Sequence, residues 1–266
     1  MLSTLVFFDV ETASPTGPPH LVEVGAIRVV EGEVEERFQR LVAPWIPVTP
    51  EATACHGLDD AALQSAPDAG DVLAEFFEFV GDDALVAHDV RHDAAAVGFE
   101  LARRGRATPS NRLFDTLRLS KRLLPDSPDH KLGTLVQHLE LELEDLHRAL
   151  PDAVASWQVF EACRDRMEGE GDGRLQELAG VPFHLGTAGP NPPKRRRNVV
   201  RRLETAQRDR TPVRLTYGEE GVPARFEVLP LVSFRMADRD YLEGECLSSG
   251  TLKTYRLDRI QRVEPA

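Results

Sequence analysis

The sequence predicts two domains, an α/β domain with a mixed sheet and packed helices, followed by a small all-β domain. Up to about residue 165, strand-like and helix-like segments alternate. From Glu168 to Arg197 glycine, proline and charge accumulate, as is typical of a linker. Four or five short strands separated by turn residues then follow a short helix. We therefore expect domains at residues 1–165 and 198–266, joined by a basic linker at 166–197.

Each element of the first domain has its own pattern. Strands are predicted for "LVFFDVET", "LVEVGAIRVV" and "EERFQRLVAP", which suggest an antiparallel meander, and later for "ALVAHDV". Helical spacing predicts helices in "DAGDVLAEFFEFVG", in "AAAVGFELARRG", which Gly105 closes, and in "RLFDTLRLSKRLL" and "KLGTLVQHLEL". In the second domain, "VVRRLETAQRDR" predicts a basic helix, and strands are expected in "PVRLTYG", "ARFEVLPLVSFRM", "RDYLEGECL" and "LKTYRLDRIQRVE".

The composition is that of a soluble globular protein, with 41% hydrophobic and 29% charged residues. No run approaches the roughly 20 apolar residues that span a bilayer, and the N-terminus has no basic lead-in of a signal peptide. The three cysteines, Cys55, Cys163 and Cys246, form no metal-spaced pair. We therefore expect a cytoplasmic protein with reduced thiols and no membrane partner.

Charge is unevenly distributed along the chain. The net charge of −12 argues against nucleic-acid binding through overall charge. The window from Lys194 to Arg214, however, holds nine basic residues against two acidic ones, a net +7. This segment is either a solvated linker or a phosphate-binding patch. We favour phosphate contact, with Lys194, Arg195, Arg196 and Arg197 as candidates.

Two acids stand at the end of the first apolar strand. Side chains alternate along a strand, so Asp9 and Glu11 project to the same face. A buried unpaired charge is costly, and proteins usually pair it or give it a metal. The pair could hold a divalent cation, or it could be an ordinary polar strand end.

Partners for these acids occur later in the chain. Asp93 lies at a strand–helix junction, and His147 precedes Asp152 by five residues. Pro151 is favoured in the first turn of a helix, which puts Asp152 on that helix and His147 on the loop before it. Singly, each acid could be a helix N-terminal residue and the histidine a surface residue. Together, acids from three element ends and one histidine indicate a catalytic site.

These segments resemble a known family. "FFDVET", "VAHDVRHD" and "HRALPDA" are similar to the three motifs of the DEDDh 3′–5′ exonucleases, which include the proofreading subunit of bacterial DNA polymerase III. "LVEVGAIRV", "CHGLDD", "FDTLRLSKRLLP" and "HKLGTLVQHL" agree, so the resemblance covers about residues 4–163. It implies an RNase H-like mixed sheet with flanking helices. It also implies removal of nucleotides from the 3′ end of DNA or RNA, with single strands expected.

The resemblance also implies residue roles. Asp9, Glu11, Asp93 and Asp152 would hold two Mg²⁺ or Mn²⁺ ions, hard cations that prefer oxygen ligands. Two such ions assist in-line displacement at phosphorus. His147 would be the general base.

Two residues depart from the family pattern. Asp89 and His92 stand where members commonly carry Asn and Phe. They keep open the hypothesis of an inactive nucleic-acid-binding regulator, although the complete acid set favours activity. His88 matches the usual motif and is expected to be a supporting residue. A proofreading subunit is a further alternative, without a recognisable polymerase-binding peptide.

Substrate contacts implied by the resemblance lie just after the first acids. Thr12 and Ala13 would pack on the terminal nucleotide. His56, in "CHGLDD", is a candidate contact in a loop that covers the 3′ end.

The C-terminal part resembles a second family. "RDYLEGECLSSGTLKTYRLDRIQRVE" is similar to the end of a WYL domain, with Asp240-Tyr241-Leu242 at the name-giving tripeptide. The resemblance implies a small SH3/Sm-like β-barrel that binds nucleic acid or a nucleotide ligand. Tyr241, Arg256 and Arg259 are the implied contacts. For the two arginines, the alternative of solvated strand residues remains open.

Overall fold

The chain forms two compact units. The computed structural model describes residues 4–141, 147–167, 171–194, 198–218 and 223–266. One unit comprises the chain up to Gly98 together with Thr108–Ala188, and the other comprises Phe99–Ala107 together with Gly189–Ala266. The domain boundaries expected at residues 165 and 198 stay a prediction.

The first unit is built on a six-stranded mixed sheet, as the sequence predicted. Its strands, in the order β3-β2-β1-β4-β5-β6, are β1 (Thr4–Thr12), β2 (Leu21–Val30), β3 (Glu33–Leu41), β4 (Ala84–Ala87), β5 (Arg112–Asp115) and β6 (Gly180–His184). The first three form the expected antiparallel meander. β4 pairs parallel with β1 and β5 parallel with β4, whereas β6 is antiparallel to β5.

Eight helices accompany this sheet in the described part of the chain. They are α1 (Pro50–His56), α2 (Asp60–Leu63), α3 (Ala69–Val80), α4 (Val90–Arg103), α5 (Thr116–Leu123), α6 (Leu132–His138), α7 (Ala149–Asp165) and α8 (Asp172–Ala179). None of the helices in the described ranges is long and apolar enough to cross a membrane.

Two expectations for local structure were wrong. The segment expected to be one helix from Arg112 is a strand followed by a helix, because Leu113 and Phe114 are buried in the sheet. The Asp115 side chain then accepts a hydrogen bond from the N–H of Leu117 at 2.9 Å and caps α5. The expected linker contains α8 and β6, so much of it is regular structure.

Alternation along β1 determines which face carries the acids. The ring of Phe7 contacts Phe160 of α7, with centroids 5.3 Å apart, whereas Phe8 contacts Phe76 of α3 on the other face at 5.9 Å. All four rings are at most 2% exposed, and burying each stabilises the fold by about 1.5–3 kcal/mol. Positions 9 and 11 continue the face of Phe7, towards α7.

The second unit combines one helix with an antiparallel sheet. The helix α9 (Asn198–Asp209) packs on the strands β7 (Val213–Tyr217), β8 (Ala224–Met236), β9 (Arg239–Cys246), β10 (Thr251–Arg256) and β11 (Ile260–Pro265). Their order is β10-β9-β8-β7-β11. No closed barrel is found among these described strands, so the expected barrel is replaced by an open five-stranded sheet.

Candidate active site

Three acids from two elements meet at the end of β1. Asp9 and Glu11 project from β1, and Asp152 lies in the first turn of α7. Carboxylate oxygens of the three residues all lie within 4.8 Å of one another. We call Asp9, Glu11 and Asp152 the acid cluster. The structure therefore brings together residues that are more than 140 positions apart in the sequence, as predicted.

A glycine lets α7 approach this face of the sheet. Gly25 on β2 is the Cα partner of Asp9. A Cβ atom at Gly25 would lie 2.2 Å from the backbone nitrogen of Leu150 and 2.3 Å from the carbonyl carbon of Ala149. Any larger residue would displace the first turn of α7, and with it Asp152.

The fourth predicted acid lies beside the cluster. Asp93 is in the first turn of α4 and is 5% exposed. Its Oδ1 accepts a hydrogen bond from the backbone N–H of Val10 at 3.2 Å, which ties α4 to the end of β1. Its negative charge is the strongest charge acting on Asp9. Asp93 is therefore a neighbour of the acid cluster with one oxygen committed to the backbone.

Burial and mutual repulsion raise the pKa values of the clustered acids, so their ionised forms need a compensating positive charge. Burial, then the charges of Asp93, Glu11 and Asp152, raise the pKa of Asp9 well above its ordinary value. Burial, followed by Asp152 and other neighbouring acids, raises the pKa of Glu11 to about 8. Burial likewise raises the pKa of Asp93 to about 8 and that of Asp152 above its ordinary range. Acids packed this way ionise together only with a compensating cation, and an all-oxygen donor set suits a hard divalent ion.

His147 is held next to the cluster by its backbone. Its N–H donates a hydrogen bond to Oδ1 of Asp152 at 3.2 Å, and its side chain is exposed. Its φ of 73° lies in the left-handed region, which is uncommon outside glycine and is enriched at functional sites. The imidazole is thus accessible from solvent on the loop that precedes α7, and its role as the general base stays a prediction.

The expected substrate contacts after β1 are differently exposed. Ala13 is fully buried and His56 is 5% exposed. Nδ1 of His56 accepts from the N–H of Leu58 at 3.1 Å, which leaves Nε2 to donate to the carbonyl of Thr12 at 3.3 Å. One ring nitrogen therefore contacts the end of β1 and the other the turn that follows α1. Of the three residues, Thr12 is the more accessible, and direct contact of any of them with substrate stays a prediction.

The residues that depart from the expected pattern lie at the surface. Asp89 is exposed with a φ of 63°, and its N–H donates to Asp115 Oδ1 at 3.1 Å. His92 is exposed as well. Both ring nitrogens of His88 form hydrogen bonds, Nδ1 with Thr116 Oγ1 and Nε2 with the carbonyl of His130, each at 2.8 Å. These bonds fit a residue that supports the site from behind.

One functional candidate was missed from the sequence. Glu23 is fully buried on β2, where it is the Cα partner of Glu11, and it forms an ion pair with Arg148. The signal was available, because Glu23 is the single acid within the apolar run "LVEVGAIRVV". A charged residue inside such a run requires a partner.

The candidates of the second unit do not form one group. The Tyr241 ring stacks on Phe234 with centroids 5.5 Å apart, and Arg256 forms two hydrogen bonds with Asp258 at 3.0 and 2.5 Å. Lys194 and Arg259 instead line a cavity of about 960 Å³. Arg195, Arg196 and Arg197 lie outside the described residues.

Comparisons with known proteins identify two families in the chain. The RNase_T exonuclease model matches residues 6–160, and the WYL domain model matches residues 198–265. The chain is 33% identical over 169 residues to the PolC-type DNA polymerase III of Halalkalibacterium halodurans, covering 62% of this chain and 12% of that protein. It is 34% identical over 155 residues to the Bacillus subtilis PolC-type enzyme, covering 58% of this chain and 11% of that protein. The chain thus spans only about an eighth of the length of these relatives.

Solved structures show the same fold. Exonuclease X in complex with 5′ overhanging duplex DNA superposes with a TM-score of 0.51 at 24% identity, covering 66% of this chain and 99% of that one. A 3′-exonuclease described in 3′-end-specific recognition of a histone mRNA stem-loop gives a TM-score of 0.53 at 14% identity, covering 63% and 83%. With its acid cluster and its matched first domain, the chain belongs to the RNase_T exonuclease family and carries a C-terminal WYL domain.

Proposed function

We propose that this protein is a metal-dependent 3′–5′ exonuclease that hydrolyses phosphodiester bonds at the 3′ end of DNA or RNA. The observation that carries the proposal is the acid cluster, whose oxygens lie within 4.8 Å of one another beside His147. The family membership supports nuclease chemistry. The resemblance to DEDDh enzymes supplies the direction.

The residues fit a divalent metal centre. The acid cluster, together with Asp93, would hold two Mg²⁺ or Mn²⁺ ions through oxygen atoms alone. When bound, the ions would compensate the clustered negative charge, acidify the attacking water and stabilise charge on the phosphate.

His147 has the properties of the general base. Its side chain is exposed on the loop before α7, while its backbone is fixed to Asp152. A neutral imidazole there can accept the proton of the attacking water as the bond to phosphorus forms. The leaving group is the 3′ oxygen of the shortened strand.

The C-terminal domain is proposed to bind nucleic acid or a nucleotide ligand. Lys194, Arg235 and Arg259 share one cavity with Asp238, Asp240 and Asp258. Within it Arg235 is paired with Asp240 at 2.7 Å, so Lys194 and Arg259 are the candidate phosphate contacts. Lys194 to Arg197 would add phosphate contacts that increase affinity for the strand. Tyr241 and Arg256 stay candidate contacts, although each has a neighbour within the domain.

Strands blocked at one end test the direction of hydrolysis. Two single strands of one sequence are prepared, one with phosphorothioate linkages at its 3′ end and one with them at its 5′ end, and each is incubated with Mg²⁺ or Mn²⁺. We expect the 5′-blocked strand to be degraded and the 3′-blocked strand to persist. Degradation of the 3′-blocked strand alone would refute the assigned direction, and cutting of both would indicate an endonuclease.

A proofreading role is the second candidate, favoured by the similarity to PolC-type DNA polymerase III. It predicts co-elution with a replicative DNA polymerase and faster removal of a mismatched than of a paired 3′ nucleotide. Equal rates without co-elution would favour a free-standing exonuclease.

A further inference from the structure

An ion pair between the fully buried Glu23 and the partly exposed Arg148 joins β2 to the loop that carries His147. Nε and Nη2 of Arg148 donate to the two carboxylate oxygens of Glu23 at 2.9 and 2.7 Å. The backbone N–H of Ala149 donates to the same carboxylate at 3.1 Å, and Gln39 donates at 2.8 Å. A fully buried carboxylate thus receives hydrogen bonds from both residues that follow His147, and such bidentate, charge-assisted contacts fix geometry.

The same carboxylate caps α7 from a neighbouring strand. Arg148 occupies the N-cap position of α7 but provides no side-chain capping bond of its own. The N–H of Ala149 would otherwise lack an intrahelical acceptor, and Glu23 supplies one. Because the N–H of Asp152 bonds to the carbonyl of Arg148 at 3.0 Å, this anchor lies one helical turn from the acid cluster.

Glu23 also lies beside the acid cluster, on the strand next to β1. Glu23 is the Cα partner of Glu11, so the two carboxylates share one face, where like charges repel each other. Burial alone would raise the pKa of Glu23, but the hydrogen bonds from Arg148, Ala149 and Gln39 lower it below its ordinary value. Arg148 therefore compensates a negative charge that would otherwise stand beside Glu11.

We propose that Glu23 and Arg148 are positioning residues of the exonuclease site, setting His147 and Asp152 relative to Glu11. The inference rests on the proposed function. Neither residue is assigned to the metal ligands or to the substrate contacts. The pair acts by fixing where α7 begins and how its preceding loop turns.

Variants that remove one or both charges of the Glu23–Arg148 pair test this role. Arg148→Met leaves Glu23 buried and unpaired and should lower the melting temperature. Glu23→Met/Arg148→Met leaves no unpaired charge and should recover most of the loss, although the N–H of Ala149 loses its acceptor. Glu75→Met/Arg40→Met, which removes an exposed ion pair of 2.9 Å, is the matched control.

The readouts are Mn²⁺ affinity measured by calorimetry without nucleic acid, and kcat and KM on a single strand. In the recovered double variant we expect Mn²⁺ affinity to stay down by roughly 10-fold, as for other residues that orient metal ligands. We expect kcat to stay down by at least about 10-fold with KM little changed, since misplaced groups slow the chemical step. Arg148→Lys, which keeps the charge but loses the two-point contact, should be intermediate.

Joint recovery of melting temperature, Mn²⁺ affinity and kcat in the double variant would overturn the proposal and leave the pair a purely structural element. If the double variant does not fold, Glu23→Gln replaces it, and unchanged Mn²⁺ affinity and kcat there would overturn the proposal equally. A wild-type protein that binds Mn²⁺ but shortens no strand would refute the proposed function instead. The Mn²⁺ affinities of the same variants would still decide the positioning role.

Discussion

The backbone N–H of His147 donates to Oδ1 of Asp152 at 3.2 Å, so the proposed base and one proposed metal ligand are fixed to each other at the start of α7. The bond uses the main chain and leaves the imidazole exposed. The orientation of the loop and the chemistry of the side chain are therefore separable by mutation.

His147→Ala is expected to remove the base without disturbing the metal centre. The loss of a general base typically lowers the rate by about 10²–10⁴-fold. We expect kcat to fall in that range while the Mn²⁺ affinity, measured by calorimetry, stays within about twofold, since the backbone bond to Asp152 is kept. His138→Ala, an exposed histidine on α6, is the control and should behave as wild type. Full activity of His147→Ala would assign the base elsewhere.

Glu11→Gln is expected to stabilise the metal-free protein at high pH. The pKa of Glu11 is raised to about 8, mainly by burial. The stability that a raised pKa provides is present below the ordinary value and is lost as pH rises through about 8. The advantage of the variant over wild type should therefore grow from about pH 5 to about pH 8, by at most about 1.4 kcal/mol per pH unit, and level off at higher pH.

Chemical denaturation in chelator at several pH values measures this difference. Added Mg²⁺ should reverse the order at pH 8, because only the wild type keeps the complete acid cluster. A difference that does not change with pH would show that Glu11 ionises normally.

Gly25→Ala should impair both stability and activity. The added Cβ would meet the backbone of α7 at 2.2 Å, so the first turn must move. We expect a loss of about 1–3 kcal/mol in unfolding free energy, as in overpacked cores. Because a displacement of about 1 Å can cost roughly 100-fold in rate, activity should fall more than stability does. Gly173→Ala on α8, where a Cβ meets nothing within 4 Å, is the control, and equal behaviour of the two variants would contradict the close approach.

The basic segment is expected to add phosphate contacts. Replacement of Lys194, Arg195, Arg196 and Arg197 by Gln should weaken strand binding most at low salt. With about 0.7 counterions released per contact on a single strand, the slope of log K against log salt should flatten by up to roughly 3. Fluorescence anisotropy with a labelled strand measures the slope, and kcat at saturating substrate should be unchanged. An unaltered slope would make the segment a solvated linker.

The acids and the meander could be predicted because each depends on local pattern. Asp9 and Glu11 follow an apolar strand, and Pro151 marks the turn that carries Asp152. Strand β5 could not be predicted, because four residues form a strand here only through their pairing with β4. The burial of Phe114 becomes visible only in the folded structure. Glu23 stands out as the single acid of an apolar run, but its partner Arg148 could not be predicted, since 125 residues separate the two.

The measurement that tests the central claim most directly is shortening of a 5′-labelled single strand, resolved by length, in Mg²⁺, in Mn²⁺ and in chelator. Wild type is compared with Asp9→Asn, which keeps the size of the side chain but removes its charge. We predict a stepwise ladder in the presence of metal, no products in chelator, and a loss of at least about 100-fold in Asp9→Asn, which lacks one carboxylate of the proposed metal centre. Products that persist in chelator or in Asp9→Asn would contradict the account, as would strand binding without shortening in either metal.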